Sequence, residues 1–461
     1  MPQYLSPGVY VEEVPSTARP IAGVGTSTAG FIGEVADVDM PLKPGRTGIK
    51  DDGKTEEPDD FYNLAPIGEP RLVTSWEQFK NSFGDIQTDN QTLAQAVYGF
   101  FNNGGTRCWV IRLAPSSSIK AGEVKDTETK SEVKGAEAKK EAKIAPVSST
   151  PNLVTRTGEV KDTETKSESK DSETKNEVKA AAGSDNLKDA LARFAAIDEI
   201  AIVAFPGAVA QAQHQSILEH CFNLKDRSAI LDGFKVEGDL TPGVIAPAPR
   251  TEVGSYGAVY FPWIKVADPS GKAVDVPPSG HIAGIYARND ATRGVHKAPA
   301  NEVVLGALGL TRLVSKAEQD GLNPEGVNVI RSLNGAVTVW GARTRADEAH
   351  SDFKYVSTRR FFNFLRKSID QGTQWVVFEP NTPALWQSIT RNVTAFLMNV
   401  WRAGALFGNT PQQAFYVKCD ADTNAPDQRE LGWVVIEVGV AIVRPAEFVI
   451  FRIGQWAGPG K

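Results

Sequence analysis

The sequence of 461 residues has little cysteine, no long hydrophobic run and no excess of positive charge. Its three cysteines lie far apart and form no CxxC pair, which excludes a disulfide framework and a zinc site and is typical of a reducing compartment. We expect Cys108, Cys221 and Cys419 to be small buried hydrophobic residues. With 50 Lys and Arg against 56 Asp and Glu, the net charge is −6, so no global positive field exists that would attract nucleic acid.

No segment approaches the roughly 18 uninterrupted apolar residues that span a bilayer. The longest candidate runs from Trp433 to Val443 and is interrupted by Glu437. The first residues contain neither a basic segment nor an apolar one, so a secretory signal is not expected. We therefore expect synthesis and assembly in the cytoplasm, and no direct insertion into a membrane.

Several strings of residues resemble catalytic motifs, but each lacks a part that its chemistry requires. Asp347 to His350 spell a helicase-type acidic box, but no apolar strand precedes them and no GxxxxGK[ST] phosphate loop lies upstream. Gly23 and Gly25 begin a dinucleotide fingerprint that Thr28 interrupts. The histidines show no HExxH spacing, and no GxSxG motif occurs. We expect no catalytic residue, no metal and no cofactor, which disfavours an α/β hydrolase or an ATPase.

Residues 116–185 differ sharply in composition from their surroundings. They are rich in Lys, Glu, Asp, Ser and Thr and almost free of aromatic residues, so they cannot bury enough apolar surface to offset chain entropy. Within them, Gly122 to Glu132 recurs letter for letter as Gly158 to Glu168. Two polar copies do not form a stacked repeat fold. We interpret the segment as a solvent-exposed insertion; a charged helical hairpin with a binding role is the alternative. Residues 37–70 predict a long surface loop.

Elsewhere, predicted helices and strands alternate, which indicates an α/β fold. The predicted helices are Trp76 to Phe83, Leu93 to Phe101, Leu187 to Ile197, Gln211 to Asn223, Thr358 to Ile369 and Thr382 to Phe407. The predicted strands include Cys108 to Leu113, Ile200 to Phe205, Trp375 to Phe378 and Leu431 to Val443. Asn334-Gly335 predicts a hairpin turn between two further strands. The stretch from Gly254 to Tyr286 predicts strands and proline-rich loops.

Two more strands are predicted close to opposite ends of the chain. The first alternates behind an extended arm and consists of Val9, Tyr10, Val11, Glu12, Glu13 and Val14. The second runs from Glu447 to Ile453 and is apolar on both faces, with Phe448, Val449, Ile450 and Phe451, as in a strand buried inside a sheet. We predict that neighbouring subunits exchange these strands by β-augmentation, at on the order of 10 kcal/mol per strand before association costs. The alternative is that both strands pair within their own subunit.

The chain resembles the tail sheath proteins of contractile phage tails and related contractile injection systems. The resemblance covers most of the chain outside residues 37–70 and 116–185. It rests on six blocks in order: Ser6 to Val14, His281 to Asn301, Val339 to Arg343, Trp375 to Pro380, Phe415 to Asp420 and Pro445 to Phe451.

The resemblance implies a mixed α/β (α+β) protein with an inner and an outer domain. Residues 1–30 with 345–461 correspond to an inner sheath domain that carries both exchanged strands, and residues 31–115 with 186–344 to an outer domain. The segments 37–70 and 116–185 would decorate the outer surface. The implied function is that of a structural subunit, not an enzyme. Such subunits polymerise as stacked hexameric rings around an inner tube and contract to drive the tube through a target membrane.

The resemblance also implies partners: further copies in six-fold rings, the inner tube protein, and baseplate and terminal cap proteins. In the family, a helix of the inner domain touches the tube. The helix from Thr382 to Phe407 is the candidate, with Arg391, Asn392, Asn399 and Arg402 on its polar side. The particle can be a phage tail, an extracellular device or a membrane-anchored one. A non-contractile strand-exchanging protein, of a surface-layer or capsid-like kind, is the alternative.

Overall fold

A computed structural model describes residues 20–36, 38–46, 58–115, 186–236, 238 and 240–450. The predicted strand at residues 9–14, the insertion at 116–185 and Phe451 lie outside the described residues. The described strands are β1 (Ala29–Glu34), β2 (Arg71–Val73), β3 (Cys108–Leu113), β4 (Ile202–Ala204), β5 (Ser228–Asp232), β6 (Gly257–Phe261), β7 (Ile264–Ala267), β8 (Ala273–Val276), β9 (Glu302–Val303), β10 (Ala307–Leu310), β11 (Val327–Leu333), β12 (Ala336–Val339), β13 (Phe415–Lys418) and β14 (Glu437–Val440).

The helices are α1 (Trp76–Phe83), α2 (Gln91–Asn102), α3 (residues 186–195), α4 (Gln211–Leu224), α5 (Pro242–Ile245), α6 (Ser279–Arg293), α7 (Lys316–Leu322), α8 (Val356–Thr373), α9 (Pro383–Arg402), α10 (Pro411–Ala414) and α11 (Pro426–Glu430). Most predicted helices are confirmed to within a few residues. Residues 38–46 and 58–70 contain only a short 3₁₀ turn (Pro58–Asp60) and one isolated bridge, as expected for a surface loop.

A nine-stranded sheet, in the order β2-β3-β1-β4-β5-β6-β11-β12-β9, organises residues 29–345, which we call the sheet region. Its six central strands are parallel, and the strands β2, β12 and β9 are antiparallel to their neighbours. The central strands are almost wholly buried, as in sheets that are covered on both faces. This arrangement confirms the mixed α/β fold.

Helices cover the sheet on both faces because successive residues of a strand point to opposite sides. Phe31 joins one hydrophobic cluster, which contains residues of α1, α2 and α6, and Ile32 joins a second one, which contains residues of α3 and α4. A three-stranded antiparallel sheet, β10-β7-β8, contributes to the first cluster. The predicted hairpin is confirmed: β11 and β12 meet at Asn334 and Gly335, which have positive φ values of 52° and 82°.

The prediction of strands and loops up to Tyr286 is wrong from Ser279 onward, where α6 begins. This helix is buried on nearly all sides, so its sequence has no polar stripe and no clear helical period. It packs on α2 so closely that a Cβ atom on Gly280 or Gly284 would collide with the backbone of Ala96 or Phe100.

Residues 346–450, which we call the C-terminal region, contain α8, α9 and the strand pair β13–β14 around a third hydrophobic cluster. Helix α9 begins at Thr382, whose side chain caps it, and has Pro383 in its first turn. It ends at Arg402, five residues before the predicted Phe407, because the chain turns at Gly404 with φ of 77°. The N-terminal segment at residues 20–28 belongs to the same cluster through Ile21.

Two predicted strands of the C-terminal region are wrong or too long. Residues 374–376 form a 3₁₀ turn instead of a strand, and Phe378, with φ of 68°, turns the chain towards α9. Only Glu437–Val440 of the predicted strand from Leu431 to Val443 is a strand. The first residues of the predicted strand instead form the turn that ends α11, since the Trp433 N–H donates to the carbonyl oxygen of Gln428.

Candidate functional site

The strands β13 and β14 form a two-stranded antiparallel sheet on the third hydrophobic cluster. Phe415 pairs with Val440 and Lys418 with Glu437, and the alternate residues Val438 and Val440 pack towards α8 and α9. Within the described residues, each of the two strands has one strand partner, so each presents an edge that no strand occupies. Such edges are templates for pairing with a further chain.

Tyr416 lies across the strand pair over Gly439, its register partner. A Cβ atom on Gly439 would overlap the Tyr416 ring, so glycine is required at this position. The Tyr416 hydroxyl donates to Oε1 of Glu437 at 2.6 Å, which raises the pKa of the tyrosine. The ring is exposed, and it therefore forms part of the outer surface of the strand pair.

The chain continues from β14 to a short apolar segment that is exposed to solvent. Phe448, Val449 and Ile450 have 71%, 70% and 79% of their surfaces exposed. Residues 447–450 form no strand and pair with no described strand, so the alternative that this segment pairs within its own subunit is not seen among the described residues. Donation to a neighbouring subunit stays a prediction. Large apolar side chains are rarely left exposed side by side unless they meet a partner.

Glu447, directly before this segment, is bound within its own chain. Its carboxylate accepts hydrogen bonds from Nε and Nη2 of Arg343 at 2.7 and 2.8 Å, from the amide of Asn323 at 2.9 Å and from the Tyr355 hydroxyl at 2.8 Å. Burial works against its ionisation, but the hydrogen bonds from Arg343, Asn323 and Tyr355 outweigh it and lower the pKa of Glu447. The carboxylate is therefore charged, and hydrogen bonds to both of its oxygens fix it to its own chain.

The predicted tube-contact residues divide between the two sides of α9. Arg391, Asn399 and Arg402 are exposed and recur at intervals of three and eight residues, which places them on one face. Asn392 is only 3% exposed and packs inward, so its predicted place on the polar side is wrong. Its neighbour Val393 belongs to the hydrophobic cluster, and residue 392 lies on that same inward side of the helix.

A buried ion pair joins α8 to the sheet region. Nη2 of Arg360 lies 2.6 Å from Oδ2 of Asp290 on α6, and both side chains are almost fully buried. The same Nη2 donates to the carbonyl oxygen of Thr26, whose hydroxyl donates to Asp290. The backbone N–H of Val24 donates to Ser368 on α8. These contacts hold the segment at residues 20–28 along α8.

The residues that resemble catalytic motifs form no reactive arrangement in the described part of the chain. Asp347 and His350 share a local turn, with Nδ1 of the histidine 2.6 Å from Oδ1 of the aspartate. The three cysteines are buried, as predicted, and burial raises the pKa of the Cys221 thiol to about 12. In residues 20–450 as described, no group of three or more His, Cys, Asp or Glu could hold a metal ion. None of the described helices is long and apolar enough to cross a membrane.

Three histidines of the sheet region lie away from solvent: His214 and His281 are fully buried, and His220 is half-buried on α4. Burial lowers the pKa values of His214, His220 and His281 to about 4. Each has one buried ring nitrogen without a hydrogen-bond partner among the described residues.

Comparison with known proteins places this geometry in a family. Residues 170–345 match the family model of the phage tail sheath protein central domain, and residues 348–455 match that of the phage tail sheath C-terminal domain. The tail sheath protein of Vibrio phage KVP40 is 29% identical over 184 residues, which are 38% of this chain and 25% of that relative. The chain thus spans about a quarter of the length of this relative.

Solved structures match over nearly the whole chain. A chain of the anti-feeding prophage baseplate, solved by cryo-EM with 6-fold symmetrisation, has a TM-score of 0.64 at 25% identity and covers 98% of this chain and 99% of its own. A chain of the PVC sheath complex, an extracellular contractile injection system in the contracted state, has a TM-score of 0.63 at 23% identity, with 99% of both chains covered. The second likeness bears on the fold alone. Because the two family models together match more than half of the sequence, the chain belongs to the phage tail sheath family.

Proposed function

We propose that the protein is the structural subunit of a contractile sheath. Its copies would polymerise as stacked six-fold rings around an inner tube protein, between a baseplate and a terminal cap. The observation that carries the proposal is the exposed apolar segment Phe448–Ile450. It belongs to a subunit whose β13–β14 sheet has edges that no described strand occupies. A donor and an acceptor of the same chain allow a polymer in which every subunit is linked to its neighbours.

In this proposal the two ends of the chain supply the donated strands. Val9 to Val14 and Phe448 to Phe451 would add to the β13–β14 sheet of neighbouring copies. Residues 1–30 with 345–461 would form the inner domain, which is supported by the packing of residues 20–28 along α8. Residues 31–115 with 186–344 would form the outer domain, decorated by the insertion at 116–185.

The exposed face of α9 is the proposed contact with the tube. It carries Arg391, Asn399 and Arg402, which offer hydrogen-bond donors and positive charge to a partner. Contraction needs no catalyst, because subunits that rotate and move outward into a lower-energy packing release energy while the exchanged strands keep them linked. The particle would be a phage tail or a tail-like contractile device.

Electron microscopy of the purified full chain tests the proposal. We expect hollow helical cylinders from the wild type, and none from variants that lack residues 1–20 or residues 448–461. Flat sheets or closed shells would favour the non-contractile surface-layer or capsid-like alternative. Monomers under all conditions would refute self-assembly.

Charge reversal of both Arg391 and Arg402 to Glu tests the tube contact. We expect cylinders to form on the tube protein far less efficiently, while the thermal unfolding midpoint stays unchanged because both side chains are exposed. The matched control reverses Arg193 and Arg293, two exposed residues of the sheet region, and lowers the net charge by the same amount. Equal assembly of both variants on the tube would remove α9 from the proposed contact.

A further inference from the structure

The surroundings of Glu447 differ from those of the apolar residues that follow it. Phe448, Val449 and Ile450 are exposed, whereas Glu447 is held by side chains from the loops after α7 and β12 and before α8. Nζ of Lys354 lies 3.9 Å from Oε2 of Glu447 and adds a second positive charge near the carboxylate. The sequence pattern predicts that Glu447 belongs to the strand that is donated to a neighbouring subunit. Its contacts, however, are with residues of its own chain.

Arg343, the main partner of Glu447, is also held by contacts with other residues. The backbone N–H of Arg343 donates to Oδ1 of Asn328 at 2.6 Å, and its carbonyl oxygen accepts from the Asn328 amide at 2.7 Å. Arg343 also donates to the carbonyl oxygen of Asn323, and its backbone forms a bridge with Tyr355. Asn328 is fully buried on β11, so the guanidinium fork is oriented by the central sheet.

Resting on the proposed function, we propose that Glu447 is the fixed root of the C-terminal arm. It is a positioning residue that sets where and in which direction residues 448 onward leave the subunit, and it is not itself donated. A donated strand gains from a fixed root because less conformational freedom is lost when it pairs with a neighbour. The partner of the arm is a second copy of this chain.

An exposed ion pair near the same root provides a matched control. Arg444, three residues before Glu447, lies 2.8 Å from Asp352, and both side chains are largely exposed. Exposed pairs contribute little because water competes for both charges. Glu447→Gln and Asp352→Asn each remove one negative charge near the arm root, but only the first breaks the buried network.

The experiment uses the full chain with spin labels at Glu77→Cys and Val449→Cys. The native cysteines are buried and stay unlabelled. Glu77 lies on α1, beside β2 at the edge of the sheet away from β12. We expect a narrow distance distribution in the unassembled wild type and in Asp352→Asn. In Glu447→Gln, the ratio of molecules with residue 447 bound to Arg343 to molecules with it released should fall about ten- to a hundredfold. The released molecules should appear as a broad component of the distance distribution.

Assembly of the unlabelled chains then tests the positioning role. At a temperature at which both variants remain folded, we expect Glu447→Gln to form cylinders only at a higher protein concentration than the wild type. Arg343→Lys should do so to a lesser degree, because the charge stays and the fork is lost. A narrow distribution in Glu447→Gln, or a released root with unchanged assembly, would overturn the inference. A wild type that forms no cylinders would reject the proposed function, while the distances would still decide whether the root is fixed.

Discussion

The sheet region and the C-terminal region differ in how far their strands and apolar side chains are buried within the chain. In the sheet region, the central strands have neighbours on both sides and helices on both faces, so apolar side chains meet partners from the same chain. Among the described residues of the C-terminal region, the β13–β14 pair has no third strand, and the apolar residues 448–450 are exposed. A two-stranded sheet is marginal by itself. The comparison teaches that the apolar residues of the sheet region are buried within the chain, whereas the described part of the C-terminal region leaves strand edges and apolar side chains exposed.

The largest expected effect comes from placing one aspartate in each region. Ile330→Asp puts a charge at a fully buried position of β11 and should cost more than about 4 kcal/mol of unfolding free energy. Ile450→Asp, at a position that is mostly exposed, should leave that free energy within about 0.5 kcal/mol of the wild type. Denaturant unfolding measures both. Electron microscopy should show that Ile450→Asp nevertheless abolishes cylinders; intact cylinders would break the comparison.

The buried ion pair between Arg360 and Asp290 couples the two regions. Asp290→Asn should cost about 3–5 kcal/mol, because it leaves the buried guanidinium of Arg360 without its counter-charge. Asp352→Asn is the matched change in an exposed pair and should cost less than about 1 kcal/mol. Urea unfolding followed by tryptophan fluorescence compares the two variants. Equal small losses would mean that this ion pair contributes little to joining the two regions.

Acid should affect the sheet region through its buried histidines. Burial lowers the pKa of His281 to about 4, so the native state holds it neutral while the unfolded chain protonates it near pH 6.5. The contribution of His281 to the free energy of unfolding is therefore fully present above pH 6.5. About 3 kcal/mol of this free energy is lost as the pH falls towards 4. Asp232 has the opposite sign, because burial raises its pKa to about 6 and protonation favours the native state.

His281→Leu should reduce the loss of unfolding free energy between pH 6.5 and 4 by about 3 kcal/mol, and should leave the losses that come from His214 and His220. Unfolding free energies measured at several pH values provide the test, and His350→Leu, at a partly exposed position, is the control. A pH dependence that stays as steep in His281→Leu as in the wild type would contradict the role of this histidine.

The smallest expected effect concerns the turn between α8 and α9. Phe378 is fully exposed and adopts a φ of 68°, a conformation that is strained for a bulky residue. Phe378→Gly should therefore stabilise the subunit by about 1 kcal/mol. Val377→Gly, at a φ of −64°, should not, since no strain is relieved there. A loss of stability in Phe378→Gly would indicate that the exposed ring packs on its own subunit.

Much of the fold could be predicted from local patterns. The caps and apolar spacing of α1 and α9 locate both helices, and the Asn334-Gly335 turn locates the β11–β12 hairpin. Helix α6 could not be predicted, because a helix that is buried all round has no polar stripe. The apolar run from Trp375 to Phe378 predicts a strand, but the turn that joins two packed helices overrides that preference.

For the candidate site, the sequence by itself determined that an apolar strand-forming segment lies near Ile450 and that it resembles the arm of a sheath subunit. Only the tertiary structure decided that Asn392 faces inward, that residues 448–450 pair with no described strand and that Glu447 binds Arg343. The physical reason is distance along the chain. Alternation and helical spacing are properties of neighbouring residues, whereas the Glu447 network joins residues about a hundred positions apart, which no local period records.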